Sequence, residues 1–172
     1  MNVDVLFINP GNHQAIYQGL ADNFSAIEPP TWALLLAQSV RAIGYVPAIL
    51  DANAERLSAS AVVNRVLELK PRLICFVVYG QNPNSGTVNM SGTVLLANEI
   101  KACGIDMPIS AVGSHISALP KEVLESEPSL DIVFCNEGVY ALRALLATDL
   151  DSLAGRRDVC GIGYRIDGEC IL

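Results

Sequence analysis

"RLICFVVYG", residues 72–80, decides the fold. From Leu73 to Val78 every residue is apolar, with no polar alternation. A strand of that kind needs cover on both faces, which a parallel sheet with crossover helices supplies. Pro71 stands just before it and ends a helix predicted from the cap Ser58 to about Lys70. After it the chain turns polar through Tyr79, Gly80, Gln81, Asn82, Pro83, Asn84, Ser85 and Gly86, so this central strand ends in a loop of neutral hydrogen-bonding residues.

Outward from this strand, short β-rich runs alternate with helical patterns. The first strand is read over Val3–Asn9. A helix follows from about Thr31, with Thr31 as a candidate N-cap, Trp32, Leu35, Leu36, Ser39, Val40 and Ile43 on one face, and Gly44 past its end. The second strand, "YVPAILD", carries Pro47 and is expected at a sheet edge. Helix three is predicted over roughly Thr87–Cys103, the fourth strand in "MPISAVG", a short helix with Pro120 in its first turn, the fifth strand in "DIVFC", and a helix in "VYALRALLA". The tail "CGIGYRIDGECIL" reads as a β-hairpin turning at Asp167-Gly168. The expectation is an α/β protein: a doubly wound, mainly parallel five-stranded sheet of flavodoxin-like or Rossmann-like order 2-1-3-4-5, helices on both faces, and a C-terminal hairpin.

Composition narrows the function. With 172 residues, 51% hydrophobic, one core-bearing domain is expected. No apolar run approaches the roughly 20 residues of a membrane-spanning helix, and "MNVDVLFINP" has no basic segment ahead of its hydrophobic run, so a cytoplasmic protein without a membrane partner is expected. A net charge of −7 with 11 basic residues disfavours nucleic acid. The five cysteines are widely spaced and form neither a disulfide framework nor a metal-cluster pattern, and nearly all of them are read as buried small hydrophobes.

Ligands of such sheets sit outside the carboxyl ends of the strands, at the switch between strands one and three. The loops there hold Asn9, Pro10, Gly11 and His13; Tyr79, Gly80, Gln81 and Asn82; Gly113, Ser114 and His115; and Asn136, Glu137 and Gly138. Neutral donors and small residues of this kind suit a large organic cofactor. A G-x-G-x-x-G turn is missing, which disfavours NAD, and Asp51 reads as part of a turn towards helix two. Asn9 and Tyr79 stand where a receiver domain needs acids, and "NPGNHQ" has no hydroxyl for a flavodoxin phosphate loop, leaving FMN as a weak option.

"INP", "EPPTWALLLAQSVRAIGYVPAILDANAERLS", "VGSHISALPKEVL" and "NEG", in that order and spacing, resemble the N-terminal cobalamin-binding domain of cobalamin-dependent radical S-adenosylmethionine enzymes. The resemblance runs over roughly Val3–Leu146. It implies cobalamin as cofactor, held base-off at the strand ends, and a parent enzyme, a methyltransferase by expectation, whose C-terminal radical S-adenosylmethionine barrel binds a [4Fe-4S] cluster and S-adenosylmethionine. The CxxxCxxC motif of that barrel is absent from these residues, so this chain is expected to bind neither and not to be catalytic alone. Residues 1–148 are read as the cobalamin domain and 149–172 as linker and hairpin leading to the barrel. A tail stopping on two apolar residues is read as cut before a following domain.

The resemblance also implies that Gly80, Ser85 and Gly86 leave room for the nucleotide tail, that Gly113 and Ser114 stand beside it where related domains often show a glycine pair, Ser114 being a departure, and that His115 hydrogen-bonds near it. Tyr79, Gln81 and Asn82 are expected to cover the lower face of cobalt. His13 lacks the Asp and Gly of the D-x-H-x-x-G loop that supplies a cobalt ligand in methionine-synthase-like domains, since Gly11 and Ile16 stand at those positions. It is carried as a cofactor contact, with no protein metal ligand assigned. The alternative is a stand-alone module, a cobalamin carrier or sensor or a flavodoxin-like FMN binder, without catalysis.

Overall fold

The computed structural model of the chain describes residues 2–11, 27, 29–80, 83–150, 152–166 and 168–172. Its strands are β1 (Val5–Asn9), β2 (Pro47–Asp51), β3 (Leu73–Val78), β4 (Ile109–Gly113), β5 (Ile132–Phe134), β6 (Ile162–Ile166) and β7 (Glu169–Ile171). Its helices among the described residues are α1 (Thr31–Arg41), α2 (Ala59–Leu69), α3 (Pro83–Ala102), α4 (Ser114–Ala118), α5 (Pro120–Ser126), α6 (Val139–Leu146) and α7 (Leu153–Arg157).

All strands join one sheet in the order β2-β1-β3-β4-β5-β6-β7, so the expected 2-1-3-4-5 core is present. β1 to β5 pair in parallel. The hairpin β6–β7 then extends the sheet antiparallel from β5, with Phe134 opposite Ile162, so the sheet runs on past residue 148. Each residue of β3 is buried, as its unbroken apolar character requires, and Pro47 lies on the edge strand β2.

Alternate side chains divide the core in two. Leu6, Ile8, Ile74, Phe76 and Val78 face α2, α3, α4 and α5, whereas Val5, Phe7, Leu73, Cys75 and Val77 face α1 and α6. The change of covering side between α1 and α2 places the switch between β1 and β3.

α2 matches its expected limits. Ser58 Oγ accepts the Ala61 amide at 3.2 Å, and Lys70 closes the helix in the left-handed conformation, φ 45°. α1 differs in two respects. Pro30 occupies the N-cap position, while Thr31 lies inside the helix and donates its hydroxyl to Pro29 O at 3.4 Å. Its buried face is Ala33, Leu36, Ala37 and Val40, leaving Leu35, 56% exposed, and Trp32, 38% exposed, on its flank. Small alanines let α1 lie close to the sheet, and this rotates the larger side chains of the expected stripe outwards.

α3 starts at Pro83, four residues before the expected Thr87. Proline is favoured in a first turn because its missing donor has no helical partner there, so half of the presumed loop is helix. Likewise Ser114 and His115 open α4 directly from β4 and do not stand in a loop. Among the cysteines only Cys75 is fully buried: Cys103 and Cys160 are exposed, and Cys135 and Cys170 lie between. Burial pushes the Cys75 thiol up to about 12, making it an inert core group.

Candidate functional site

The carboxyl ends of β1, β3, β4 and β5 form one rim, and each strand end is tied to its neighbour. At β1, Asn9 Nδ2 donates to Asp51 Oδ1 at 2.8 Å, and the same oxygen accepts the Ala54 amide at 3.0 Å. Asp51 therefore closes the turn after β2, as its sequence context suggests, and holds Asn9 with it. Gly11 lies against this turn, where a Cβ would come within 2.7 Å of Asn53 Cα. Pro10 is buried beside it. His13 lies outside the described residues, as do Gln81 and Asn82.

At the end of β3, Tyr79 turns towards α1 and stacks on Trp32, with ring centroids 4.5 Å apart and 22° between planes. The Tyr79 carbonyl accepts Asn89 Nδ2 at 3.1 Å, which ties the strand end to the second turn of α3. Tyr79 is half-buried, and burial, then the Glu137 carboxylate, then the Cys75 thiol raise its phenol above the ordinary value of 10.0. The phenol therefore stays neutral at physiological pH. Gly80, partly exposed, follows.

Gly113 is buried at the end of β4, in register with Val78. A Cβ there would collide with the Val78 carbonyl, its carbon only 2.8 Å away. The missing side chain of Gly113 thus accommodates the backbone of β3. In the same way a Cβ on Gly86 would strike the Ser114 hydroxyl, so the first turns of α3 and α4 interlock. Beside this contact the Thr87 hydroxyl and His115 Nδ1 lie 3.1 Å apart, sharing a hydrogen bond.

At the end of β5, Asn136 Oδ1 accepts the Gly138 amide at 3.0 Å, and Ser117 Oγ donates to Asn136 O at 3.3 Å. Gly138 adopts φ 73°, where a side chain is strained, and a Cβ would meet Val112 and Phe134 at 3.1 and 3.2 Å. Asn136 and Glu137 are exposed at the mouth of the rim.

The rim thus brings together Asn9, Pro10 and Gly11, Tyr79 and Gly80, Gly113 to His115, and Asn136 to Gly138, on four adjoining strand ends. Sequence reasoning assigned no site role to Trp32, Thr87 or Asn89. Trp32 sat within an apolar helical stripe; its signal was its place in the first turn after a proline pair, at the rim level. Among the described residues no three metal-ligating side chains cluster. No helix among them is long and apolar enough to cross a membrane. A groove of about 660 Å³ runs along the outward flank of α3, lined by residues such as Leu95, Asn98 and Glu127, and includes no rim residue.

With this geometry in place, comparison with known proteins defines the class. Residues 17–146 match the B12 binding domain family, and the chain belongs to that family. It is similar in structure to the radical S-adenosylmethionine methyltransferase TsrM from Kitasatospora setae with cobalamin and a [4Fe-4S] cluster bound. There the TM-score is 0.72 at 17% identity, over 99% of this chain and 30% of that one. TsrM with tryptophan substrate and a SAM analog gives 0.71 at 18%, over 96% and 29%. The cobalamin-dependent S-adenosylmethionine radical enzyme OxsB, with aqua-cobalamin and S-adenosylmethionine bound, gives 0.64 at 20%, over 99% and 22%. The chain therefore spans less than a third of each of these proteins. No curated protein sequence matches it.

The rim chemistry fits a cobalamin. The corrin periphery carries neutral amide side chains, and the rim offers neutral amides, hydroxyls and an imidazole together with an aromatic pair.

Proposed function

We propose that the chain holds cobalamin, base-off, at the carboxyl ends of its parallel strands as the cofactor-carrying part of a larger radical S-adenosylmethionine methyltransferase. The observation that carries this reading is the family match over residues 17–146, on a sheet whose switch-point rim is largely neutral and partly aromatic. Residues 1–148 would hold the cofactor, and 149–172, whose hairpin continues the sheet, would lead to a barrel binding the [4Fe-4S] cluster and S-adenosylmethionine. A cytoplasmic setting goes with this reading, in keeping with five free cysteines.

When bound, cobalamin supplies a cobalt that takes up and gives up a methyl group. The chain's own part is to bind and shield. Asn136, Glu137 and His115 would hydrogen-bond the cofactor's amide side chains. Gly11, Gly80, Gly113, Ser114 and Gly138, with Asn9 and Pro10, shape its floor. His13, Gln81 and Asn82 are carried as further cofactor contacts. Tyr79, held neutral, covers the lower face without offering a phenolate.

The purified protein mixed with hydroxocobalamin, and separately with FMN, then passed through gel filtration, tests this. Co-elution of cobalamin with the protein, with the base-off shift of its visible spectrum, is expected. Co-elution of FMN alone would replace the reading with a flavin-binding module.

A further inference from the structure

The two flanks of the rim are unlike. On the α3–α4 side, a Cβ on Gly86 or Gly113 would strike the Ser114 hydroxyl or the Val78 carbonyl, so the backbone there is packed tightly against the protein itself. On the α1–α6 side an aromatic pair stands above a core that is already complete, since Phe7, Leu36 and Val77 beneath it are buried. Trp32 keeps 38% of its surface exposed, although an indole is among the largest apolar groups a core can absorb. Its partner Tyr79 sits at the end of β3 beside β1, at the switch point, anchored through its carbonyl by Asn89. Two stacked rings from a helix start and a strand end make a flat, rigid surface with few rotatable bonds to order when a ligand lands.

We infer that Trp32 is a cofactor-binding residue, and that the Trp32–Tyr79 pair is the platform against which the flat corrin ring rests. This deepens the cobalamin reading and rests on it. The platform is assigned to the ring and not to the nucleotide tail, a division that cobinamide tests because it lacks the tail.

Two ligands and two substitutions test the inference. Hydroxocobalamin and cobinamide, which has the corrin ring without the nucleotide, are titrated by absorbance into the native protein, Trp32→Leu and Trp32→Phe. Leucine keeps apolar bulk without a ring face, and phenylalanine keeps the face. Trp32→Leu is expected to weaken both ligands about tenfold, and Trp32→Phe to stay within about threefold of the native protein. Folded Trp32→Leu protein with native affinity would overturn the platform while leaving cobalamin binding intact. A loss confined to hydroxocobalamin would overturn it too, by assigning Trp32 to the tail. A native protein that binds neither ligand would remove the cobalamin reading and the platform together.

Discussion

The two ends of the sheet are held by different chemistry. At the amino ends of the strands, charge is used structurally. Asp4 Oδ2 accepts the Val46 amide at 2.8 Å, while its Oδ1 pairs with Arg72 at 3.2 Å. Asp131 Oδ2 accepts both the Ile109 amide at 2.8 Å and Lys101 Nζ at 2.9 Å. Arg165, on β6, gathers the carbonyls of Leu124, Glu127, Pro128 and Leu130, binding the end of α5 to the hairpin. At the carboxyl ends the ties are glycine contacts, amides, hydroxyls and an aromatic stack, and Asp51 is absorbed into a turn. Ionic contacts thus fasten the amino ends, and the end proposed to take the cofactor stays largely neutral. A neutral rim avoids desolvating charge when a bulky organic ligand covers it.

This contrast can be broken from either end. The largest effect is expected at the rim. Gly113→Val forces a branched side chain into the Val78 carbonyl and should cost about 3 kcal/mol, read as a fall in thermal midpoint together with loss of cobalamin binding. At the far end, Arg165→Met leaves four carbonyls without their cation and should cost about 2 kcal/mol in urea denaturation. Its cobalamin affinity should stay within about threefold of native, because the lost contacts lie a full strand length from the rim. An equal loss of binding would erase the division of labour between the ends. Asn9→Ala removes the bond to Asp51 but leaves the Ala54 turn, so about 1 kcal/mol is expected by the same measurement.

The smallest effect concerns protons. The Tyr79 phenol is raised in the folded protein, so its share of stability is present below pH about 10 and is lost as pH rises through the folded value. A spectrophotometric titration should show Tyr79 ionising above the ordinary tyrosine range, and Glu137→Gln should bring that step to lower pH. No change in Glu137→Gln would separate Glu137 from the aromatic pair.

Much of the fold could be read from periodicity because its strongest signals are local. The apolar run Leu73–Val78 required a central strand, Pro47 an edge, and Ser58 with Pro71 bounded α2, and all of these hold in the structure. The errors arose where tertiary contacts overrule local pattern. The buried face of α1 is chosen by close approach of Ala33 and Ala37 to the sheet, which a stripe of larger residues does not reveal. The early start of α3 and the unexpected helix α4 absorb residues whose polarity resembles a loop. At the site, the strand ends themselves were legible, because the strand order dictates which loops meet. The Trp32–Tyr79 stack was not, since it joins residues 47 positions apart whose pairing depends on how α1 rotates over the sheet. Small residues at the rim were legible as well, but not what they lie against: a Cβ on Gly86 would meet the Ser114 hydroxyl and one on Gly113 the Val78 carbonyl.

The Arg165 node has a practical bearing on how the molecule is handled. A recombinant piece trimmed after Thr148 would strip β5 of its antiparallel mate and leave the carbonyls from Leu124 to Leu130 uncapped. Expression vectors carrying this unit should retain the hairpin at least through Ile166, or the harvest will be a frayed sheet whose last parallel strand invites clumping.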